Sequence, residues 1–545
     1  MKLDADPKAI EILDTPRDQD QSPLLNLTAY QRIRLAKVND AFGIDYTEAG
    51  FPESSDADRA VFAYFRENPQ ELTHTILAAF GATRRGGTAE EDDPGLRALL
   101  ESGAPALVIV GKSSRQQAEA VLRMSAAENL AMIRDTFGFL RSQGREDLTF
   151  DAEHYFDGYK LDAEYALNAL RAATEAGVRR VVLCDTKGGT FPEEVHEITR
   201  ATIQAIGNGI IVGLHMHDDA DLATANTLAG IEAGARHYQG TWLGYGERVA
   251  NVDHSKVLPN LWRRGYRTVP NMAAITPTAH EVAEILQVRV PDNASFVGAD
   301  AFTHKAGQHV RGNQRDPLAN QFMPAEAVGN RSRSILSKVS GLGNIDEFLA
   351  RTKAISPEAA EILSRPENRA RMLAILKREE SRGIRYRDAE ASFLLLCLRE
   401  LQMFEPRFVV IRHKFVDASD SGTIATLWIK VNGDAEARKF NGHSDDGTVD
   451  AMSIAFAKAL GKRFPVMQDL KLENYRATNL PSGEGTASEV QVVVEFSYHG
   501  ERFYTTGIGT DELAANTEAM CDAIHYCILK HEMNGQVDQS ESMAG

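Results

Sequence analysis

The sequence predicts a (β/α)8 barrel, followed by a mainly helical region and a C-terminal α+β domain with an internal repeat. Three observations support this prediction. The first 265 residues alternate short runs rich in β-branched and apolar residues with stretches whose apolar residues recur every three or four positions. There are eight such runs, and nearly every one ends in polar or ionisable residues. Beyond residue 404, an order of strand, strand and helix occurs twice.

The eight predicted strands lie at residues 9–15, 44–50, 72–80, 106–111, 148–154, 180–185, 209–217 and 235–242. Helices are predicted between them, for example at residues 161–176 and 193–206. Strands that alternate with helices form parallel βαβ units, and eight units within about 250 residues close most economically as a barrel. A doubly wound open sheet is the alternative. The barrel is favoured because an open sheet concentrates its polar site at one switch point, not at every strand end.

The remainder of the chain changes character twice. Residues 271–400 indicate helical linker subdomains, with helices at 272–287 and 357–363. Beyond them, strands are predicted at 408–413, 425–431, 490–497 and 502–508, helices at 449–460 and 516–529, and glycine loops at 441–447 and 507–509. This repeat predicts a pseudo-symmetric ββα module. We expect a barrel domain over 1–270, the linker over 271–400, an allosteric and dimerisation domain over 401–535 and a polar tail over 536–545.

Composition excludes several classes of protein. The formal net charge of -17 argues against a nucleic-acid or anionic-membrane partner, because such partners attract basic patches. Four cysteines without a C-x-x-C pair predict neither a disulfide framework nor a thiolate zinc site. The N-terminus is charged without an apolar core, and no apolar run reaches the ~18 residues of a membrane helix. A cytoplasmic protein is therefore expected.

A metal site is predicted at the end of the seventh strand. His215 and His217 are two residues apart, so on a strand both imidazoles face the same side and can chelate one ion. The alternative is a pair of ordinary polar residues at a strand end. Asp18, just beyond the first strand, can add a carboxylate oxygen. Two histidines and one carboxylate leave coordination positions open, as a catalytic metal requires, and suit Mg²⁺, Mn²⁺ or Zn²⁺.

Three further features are candidates for catalytic work. Arg17 is an always-charged donor beside Asp18, although a surface salt bridge is the alternative. Glu153 ends the fifth strand and is a candidate general base, with a structural carboxylate as the alternative. The segment His-Lys-Ala-Gly-Gln-His at 304–309 lies outside the barrel. Histidines five residues apart do not share one helix face, so a loop is predicted there.

These residues stand within motifs that resemble the family of 2-isopropylmalate, homocitrate and citramalate synthases, and within it the long citramalate synthases. The resemblance covers nearly the whole chain, with its motifs in the family's order. The C-terminal repeat resembles the family's allosteric module. The matching segments are FGATRR at 80–85, DAEHYFDGYK at 151–160, CDTKGGT at 184–190, HMH at 215–217, QGT at 239–241, GYGER at 244–248 and HKAGQH at 304–309.

The resemblance implies a metal-dependent barrel enzyme that condenses acetyl-CoA with a 2-oxo acid, by default pyruvate, to give citramalate. Asp18, His215 and His217 would hold the metal, with Asn251 in or near its coordination shell. Mg²⁺ or Mn²⁺ is favoured over Zn²⁺ because the site lacks thiolate ligands. The resemblance also implies a homodimer, and a branched-chain amino acid as effector of the C-terminal module.

The same resemblance implies roles for the remaining candidates. Glu153, with help from His309, would remove a proton from the methyl group of acetyl-CoA. Arg17 would stabilise the developing oxyanion, and Thr186 and Thr241 would contact the oxo acid. Because dimers of this family exchange the region that contains His309, this histidine would serve the site of the neighbouring subunit.

The chain departs from the family pattern at two places near the site. Gln19 replaces a glycine, and if that position needs a positive φ the glutamine costs roughly 1 kcal/mol or more. The segment Asp-Asp-Ala-Asp at 218–221 replaces Asn-Asp-x-Gly, and Asp218 and Asp219 can also cap the next helix. A synthase with a different acceptor in specialised metabolism is therefore an alternative. An acyl-CoA lyase and a catalytically silent amino-acid sensor are two further alternatives.

Overall fold

The computed structural model of the protein describes residues 9–542 except 208, 267–268, 353–356, 419–421 and 481–488. Contacts divide the chain into two compact units. The first comprises Met1–Phe302 and Met323–Arg331, and the second comprises Thr303–Phe322 and Ser332–Gly545. The domain boundaries expected at residues 270 and 400 stay predictions. Within the described residues, no helix is both long and apolar enough to cross a membrane.

The first unit contains the predicted closed barrel of eight parallel strands, in the order of the sequence. The barrel closes where the first strand pairs with the eighth, with Leu13 opposite Gln239. All eight predicted strands are confirmed. They are β1 Glu11–Asp14, β2 Tyr46–Gly50, β3 Ile76–Ala82, β4 Ala106–Lys112, β5 Asp147–Glu153, β6 Arg180–Asp185, β7 Ile211–Met216 and β8 His237–Gly240.

Helices follow the strands, and side-chain caps define where several of them begin. Thr28 and Gln31 form a reciprocal capping box at the start of α2, and Ser125 and Glu128 form another at the start of α6. The helices of this unit are α1 Pro16–Gln19, α2 Ala29–Phe42, α3 Asp56–Glu67, α4 Pro94–Ser102, α5 Arg115–Gln117, α6 Ala126–Ser142, α7 Tyr155–Leu161, α8 Ala163–Glu175, α9 Pro192–Ile206, α10 Ala223–Glu232, α11 His254–Arg263 and α12 Ile275–Leu286.

An ionic cluster closes the amino-terminal end of the barrel. Arg180, the first residue of β6, is 1% exposed and donates from Nη1 to Asp147 Oδ1 at 2.7 Å. Its guanidinium lies 4.4 Å from the centroid of the Tyr46 ring, and its Nε is 3.7 Å from a Glu11 carboxylate oxygen. These four residues all stand at the first positions of their strands. The amino-terminal end is therefore structural, and a catalytic site is expected at the opposite, carboxyl-terminal end of the barrel.

The second unit begins with a short parallel strand pair and five helices, so the predicted helical character of this region is confirmed. A separate apolar core, in which the rings of Phe348 and Phe393 are in contact, joins the last four of these helices. The elements are β9 Thr303–His304, α13 Gly307–Arg315, β10 Arg333–Ser334, α14 Leu342–Thr352, α15 Pro357–Leu363, α16 Pro366–Ser381 and α17 Glu390–Glu400.

The C-terminal repeat is confirmed, with one more strand in each copy than predicted. Each copy is a three-stranded antiparallel sheet followed by a helix. The additional strands are largely polar and exposed, so periodicity does not reveal them. Residues 441–444 and 507–509 belong to strands where glycine loops were predicted. The elements are β11 Phe408–Ala418, β12 Gly422–Val431, β13 Arg438–Ser444, α18 Thr448–Leu460, β14 Lys471–Asn479, β15 Val490–Tyr498, β16 Glu501–Gly509 and α19 Glu512–Ser542.

Two glycines occupy equivalent positions in the two copies. Gly442 on β13 touches the backbone of α18, where a Cβ atom would collide with the Ala451 carbonyl oxygen. Gly507 on β16 touches α19 in the same way, where a Cβ atom would collide with the Ala515 carbonyl oxygen. Each helix therefore packs directly against the third strand of its own sheet, and both copies contribute to one apolar core.

Candidate metal centre and active site

Three potential metal ligands converge at the carboxyl-terminal mouth of the barrel. His215 and His217 project to one side of β7 with their ring centroids 5.1 Å apart, while Met216 between them is buried in the core. Asp18 follows β1 in the short helix α1, and its Oδ2 lies 3.3 Å from His215 Nε2. One ligand atom from each of the three residues lies within 4.8 Å of the other two, and all three residues are buried. The predicted convergence is confirmed.

Asn251 reaches the same cluster. Its backbone pairs with His217, and its side-chain Nδ2 donates to Asp18 Oδ2 at 2.5 Å. Within the described part of the chain, Asn251 Oδ1 and His217 Nδ1 are buried without a hydrogen-bond partner. Buried polar atoms are costly when unpaired, so a cluster of donors with orphaned atoms fits a divalent cation.

The protonation states of the three ligands differ. Burial alone would raise the pKa of Asp18, but the charge of Arg17 and the two histidines lower it well below its usual range. Burial would lower the pKa of His215, yet its contact with Asp18 raises it to about 9. Burial and the charge of His215 lower the pKa of His217 to about 4. At neutral pH, Asp18 and His217 are therefore in the form that binds metal, and His215 must lose a proton.

Arg17 lies inside the barrel mouth and not on the surface, with 12% of its side chain exposed. Its Nε donates to Glu48 Oε1 at 2.9 Å and its Nη1 to Asp18 Oδ1 at 3.1 Å. The guanidinium also stacks 3.8 Å above the Phe80 ring, and Thr15 Oγ1 donates to the same Glu48 oxygen. A fixed positive charge therefore stands beside the three ligands.

The other candidates of the barrel lie at or just after the ends of β5, β6 and β8. Glu153 forms an ion pair with Lys112, and its second oxygen lies 3.8 Å from His154 Nε2. Thr186 Oγ1 accepts a hydrogen bond from the backbone amide of His154 at 2.8 Å, which leaves its hydroxyl proton available. Thr241 Oγ1 donates to the Tyr245 carbonyl at 2.8 Å, so its proton is already engaged.

Comparison with known proteins identifies the family. Residues 9–282 match the HMGL-like family, and residues 389–528 match the LeuA allosteric (dimerisation) domain. The chain is 35% identical over 529 residues to the (R)-citramalate synthase of Synechocystis sp., covering 94% of each protein. It is 33% identical to the (R)-citramalate synthase of Sulfolobus acidocaldarius, covering 96% of this chain and 98% of that protein. The chain belongs to the HMGL-like family, in its citramalate synthase branch.

The 2-isopropylmalate synthase of Pyrococcus furiosus is a more distant relative of this citramalate synthase family member. It is 28% identical over 529 residues, which cover 95% of this chain and 99% of that protein. The similarity thus extends over nearly the full length of a 2-isopropylmalate synthase as well as of the citramalate synthases. The match to the LeuA domain also distinguishes this chain from proteins that consist of the barrel domain only.

His309 lies in the second compact unit, on the exposed side of α13. Its ring is 6.4 Å from that of His304, which stands on β9. The predicted loop at 304–309 is wrong, because a helix begins at Gly307 within this segment. A Cβ atom at Gly307 would lie only 2.6 Å from Gly341 N, so glycine allows the two backbones to approach. The catalytic role of His309 stays a prediction.

The two departures from the family pattern have distinct structural outcomes. Gln19 lies in helix α1 and has no positive φ, so the expected backbone strain does not exist. In the second segment, Asp221 does adopt a positive φ of 59°, a conformation that aspartate tolerates. Neither aspartate is the N-cap of the next helix, which is Leu222. Asp218 Oδ1 accepts from Ala223 N, the first amide of that helix, at 2.7 Å, and Asp219 pairs with Arg248 at 2.8 Å.

Four further polar residues complete the site, and none was singled out as functional from the sequence. Glu48 anchors Arg17, and Lys112 anchors Glu153. Gln239 Nε2 donates to Asp151 Oδ1 at 2.8 Å, and burial together with the charge of Glu48 raises the pKa of Asp151 to about 7. Glu48 and Lys112 stood among the polar strand ends, so their position in the sequence was a signal. Gln239 and Asp151 lay within matched motifs without an evident function.

Proposed function

We propose that this citramalate synthase family member condenses acetyl-CoA with pyruvate to give citramalate and free CoA. A carbon–carbon bond forms between the acetyl methyl carbon and C2 of pyruvate, and water then cleaves the thioester. The alignment with (R)-citramalate synthases over nearly the full length of both proteins carries this proposal. The convergence of Asp18, His215 and His217 at the barrel mouth supports it independently.

The same three residues would hold one divalent cation, with Asn251 beside them. When bound, the cation supplies Lewis-acid polarisation of the 2-oxo acid. Oxygen and imidazole donors without a thiolate favour Mg²⁺ or Mn²⁺, and Zn²⁺ is the alternative. Three such ligands would leave further coordination positions open, as a catalytic metal needs.

The surrounding residues have roles that follow from their contacts. Arg17, held by Glu48, offers a fixed positive charge to the oxyanion that develops during addition. Glu153, positioned by Lys112, would take the proton from the acetyl methyl group. Thr186 can donate its free hydroxyl proton to a substrate carboxylate, whereas Thr241 would first have to release the Tyr245 carbonyl.

Two parts of the proposal concern the second compact unit. His309 would assist Glu153 from the neighbouring subunit of a homodimer, which accords with its exposure on α13. The LeuA allosteric (dimerisation) domain would bind a branched-chain amino acid as effector. Calorimetry of the full chain with isoleucine and with leucine tests the effector, and sedimentation tests the dimer.

The decisive experiment measures CoA-thiol release from acetyl-CoA with Mg²⁺ or Mn²⁺ and a panel of 2-oxo acids of increasing size. Release with pyruvate is expected, and His217→Ala is expected to abolish it. Release with a larger acid but not with pyruvate would retain the chemistry and replace the acceptor, which is the second candidate function. No release with any acid would overturn the synthase and favour a silent amino-acid-binding protein.

A further inference from the structure

We propose that Asp151 and Gln239 are positioning residues that keep His215 in the tautomer that binds metal. This inference rests on the metal site of the proposed function and assigns a role to two residues that do not belong to the ligand cluster. Asp151 lies on β5, Gln239 on β8 and His215 on β7. The three side chains form a chain of hydrogen bonds across the barrel interior.

The geometry of the barrel brings these residues together. His215 and Gln239 are directly opposite each other in the pairing of β7 with β8, so their side chains share a face. His215 Nδ1 lies 2.7 Å from Gln239 Oε1, and Gln239 Nε2 lies 2.8 Å from Asp151 Oδ1. The exposed fractions of the three residues are 7%, 2% and 4%, so water does not compete freely for these contacts.

The donor and acceptor of each hydrogen bond in this series follow from the groups that Asp151, Gln239 and His215 carry. Gln239 Nε2 donates to Asp151 Oδ1, and this contact fixes the orientation in which the amide nitrogen of Gln239 points towards Asp151. The amide oxygen of Gln239 then faces His215, and this oxygen also only accepts. His215 must therefore carry a proton on Nδ1.

A proton on Nδ1 decides which nitrogen is free for metal. The other nitrogen, Nε2, faces the cluster and lies 3.3 Å from Asp18 Oδ2. Its lone pair is available to a cation as long as the remaining proton stays on Nδ1. With the amide of Gln239 reversed, its NH2 group would require an unprotonated Nδ1. The proton of a neutral imidazole would then stand on Nε2 and block the ligand position.

Outer partners of this kind change metal affinity by about 10–100-fold when they are removed. The experiment therefore measures the Kd for Mn²⁺ on the full chain, from the electron paramagnetic resonance signal of free Mn²⁺. Gln239→Met keeps the length of the side chain and removes both hydrogen bonds. We expect it to raise the Kd by about tenfold or more. Gln143→Met, at an exposed position, is the matched control and should not change the Kd.

Asp151 is tested with a pair of variants. Asp151→Leu removes the acceptor and should raise the Kd by about tenfold, whereas Asp151→Asn keeps an acceptor oxygen and should stay within about threefold of the wild type. Thermal unfolding without metal identifies any variant that has failed to fold. If both variants weaken Mn²⁺ binding equally, the charge of Asp151 matters and its ability to accept a hydrogen bond does not. That result would overturn the inference.

A second readout reports the tautomer directly. In the Zn²⁺-loaded chain, long-range ¹H–¹⁵N correlation of labelled histidines should show the His215 proton on Nδ1. A proton on Nε2, or an unchanged Kd in Gln239→Met, would overturn the inference. Neither readout depends on catalysis. If the wild-type protein releases no CoA with pyruvate while Gln239→Met binds Mn²⁺ more weakly, the proposed synthase activity is wrong and the positioning role is supported. Wild-type protein that binds no Mn²⁺ would overturn both.

Discussion

Gln19 Nε2 donates a hydrogen bond to the backbone carbonyl oxygen of Trp242 at 2.8 Å. Gln19 follows the first strand and Trp242 follows the eighth, so this bond joins the two strand ends at which the barrel closes. Gln19 is fully buried and lies immediately after Asp18. The residue that departs from the family pattern is therefore a structural support of the metal site.

Gln19→Ala should destabilise the barrel, because it leaves the Trp242 carbonyl without its donor in a buried position. The expected loss is about 1–3 kcal/mol of unfolding free energy. Thermal unfolding, compared with Gln143→Ala at an exposed position, measures this loss. Identical unfolding midpoints for the two variants would mean that the bond does not support the barrel mouth.

Metal affinity should rise with pH. His215 has a pKa raised to about 9 by Asp18 and must lose a proton before its Nε2 can coordinate, whereas His217, with a pKa of about 4, is already neutral. Below pH 9, the Kd for Mn²⁺ should therefore fall by about tenfold for each pH unit. Titrations at pH 6.5, 7.5 and 8.5 test this slope. A Kd that stays constant across this range would exclude a protonated His215 in the metal-free protein.

Arg17→Lys should lower kcat by about 10²–10³-fold while the protein stays folded. Lysine keeps the charge but cannot donate to both Glu48 and Asp18 in the fixed geometry of a guanidinium. Steady-state CoA release and the Kd for Mn²⁺ separate the two possible effects. A variant that keeps kcat but loses Mn²⁺ would assign Arg17 to the metal site and not to the reaction.

Arg180→Met should destabilise the protein by about 1–3 kcal/mol, because Asp147 and Glu11 lose their fully buried partner and keep only the more exposed Arg179. Arg59→Met is the control, since its ion pair with Asp56 is exposed and contributes about 0–1 kcal/mol. Thermal unfolding compares the two. A similar small effect for both variants would show that the amino-terminal cluster is not structural.

Gly442→Ala and Gly507→Ala should each destabilise the C-terminal module by about 1–3 kcal/mol or more. In both cases the new methyl group enters the backbone of the helix, 2.7 Å from Ala455 N and 2.6 Å from Ala519 N respectively. Gly138→Ala, in helix α6 with open space around it, is the control and should not destabilise. Thermal unfolding of the three variants is the measurement, and a tolerated alanine at either position would contradict the packing.

The barrel could be predicted because its strands are apolar and its helices amphipathic, so the two periodicities alternate clearly. β13 and β14 could not, since a polar strand on a sheet with one exposed face has the composition of a loop. The start of α13 at Gly307 was also missed, because the contact of Gly307 with Gly341 depends on packing between distant segments.

The metal ligands were predictable for a local reason. His215 and His217 are two residues apart at the end of β7, and Asp18 follows β1, which pairs with β8 where the barrel closes. The contact of Gln239 with His215 was not predictable, because it depends on the register between two strands. Strand register is a property of the closed barrel and has no signature within either segment.

The equivalence of Gly442 and Gly507 has a consequence for the history of the chain. Two copies of one βββα unit, each with a glycine where its helix crosses its third strand, are what a duplicated gene segment leaves behind. Before the duplication, a single unit would have exposed half of the present apolar core and would have needed a second copy of itself to cover it.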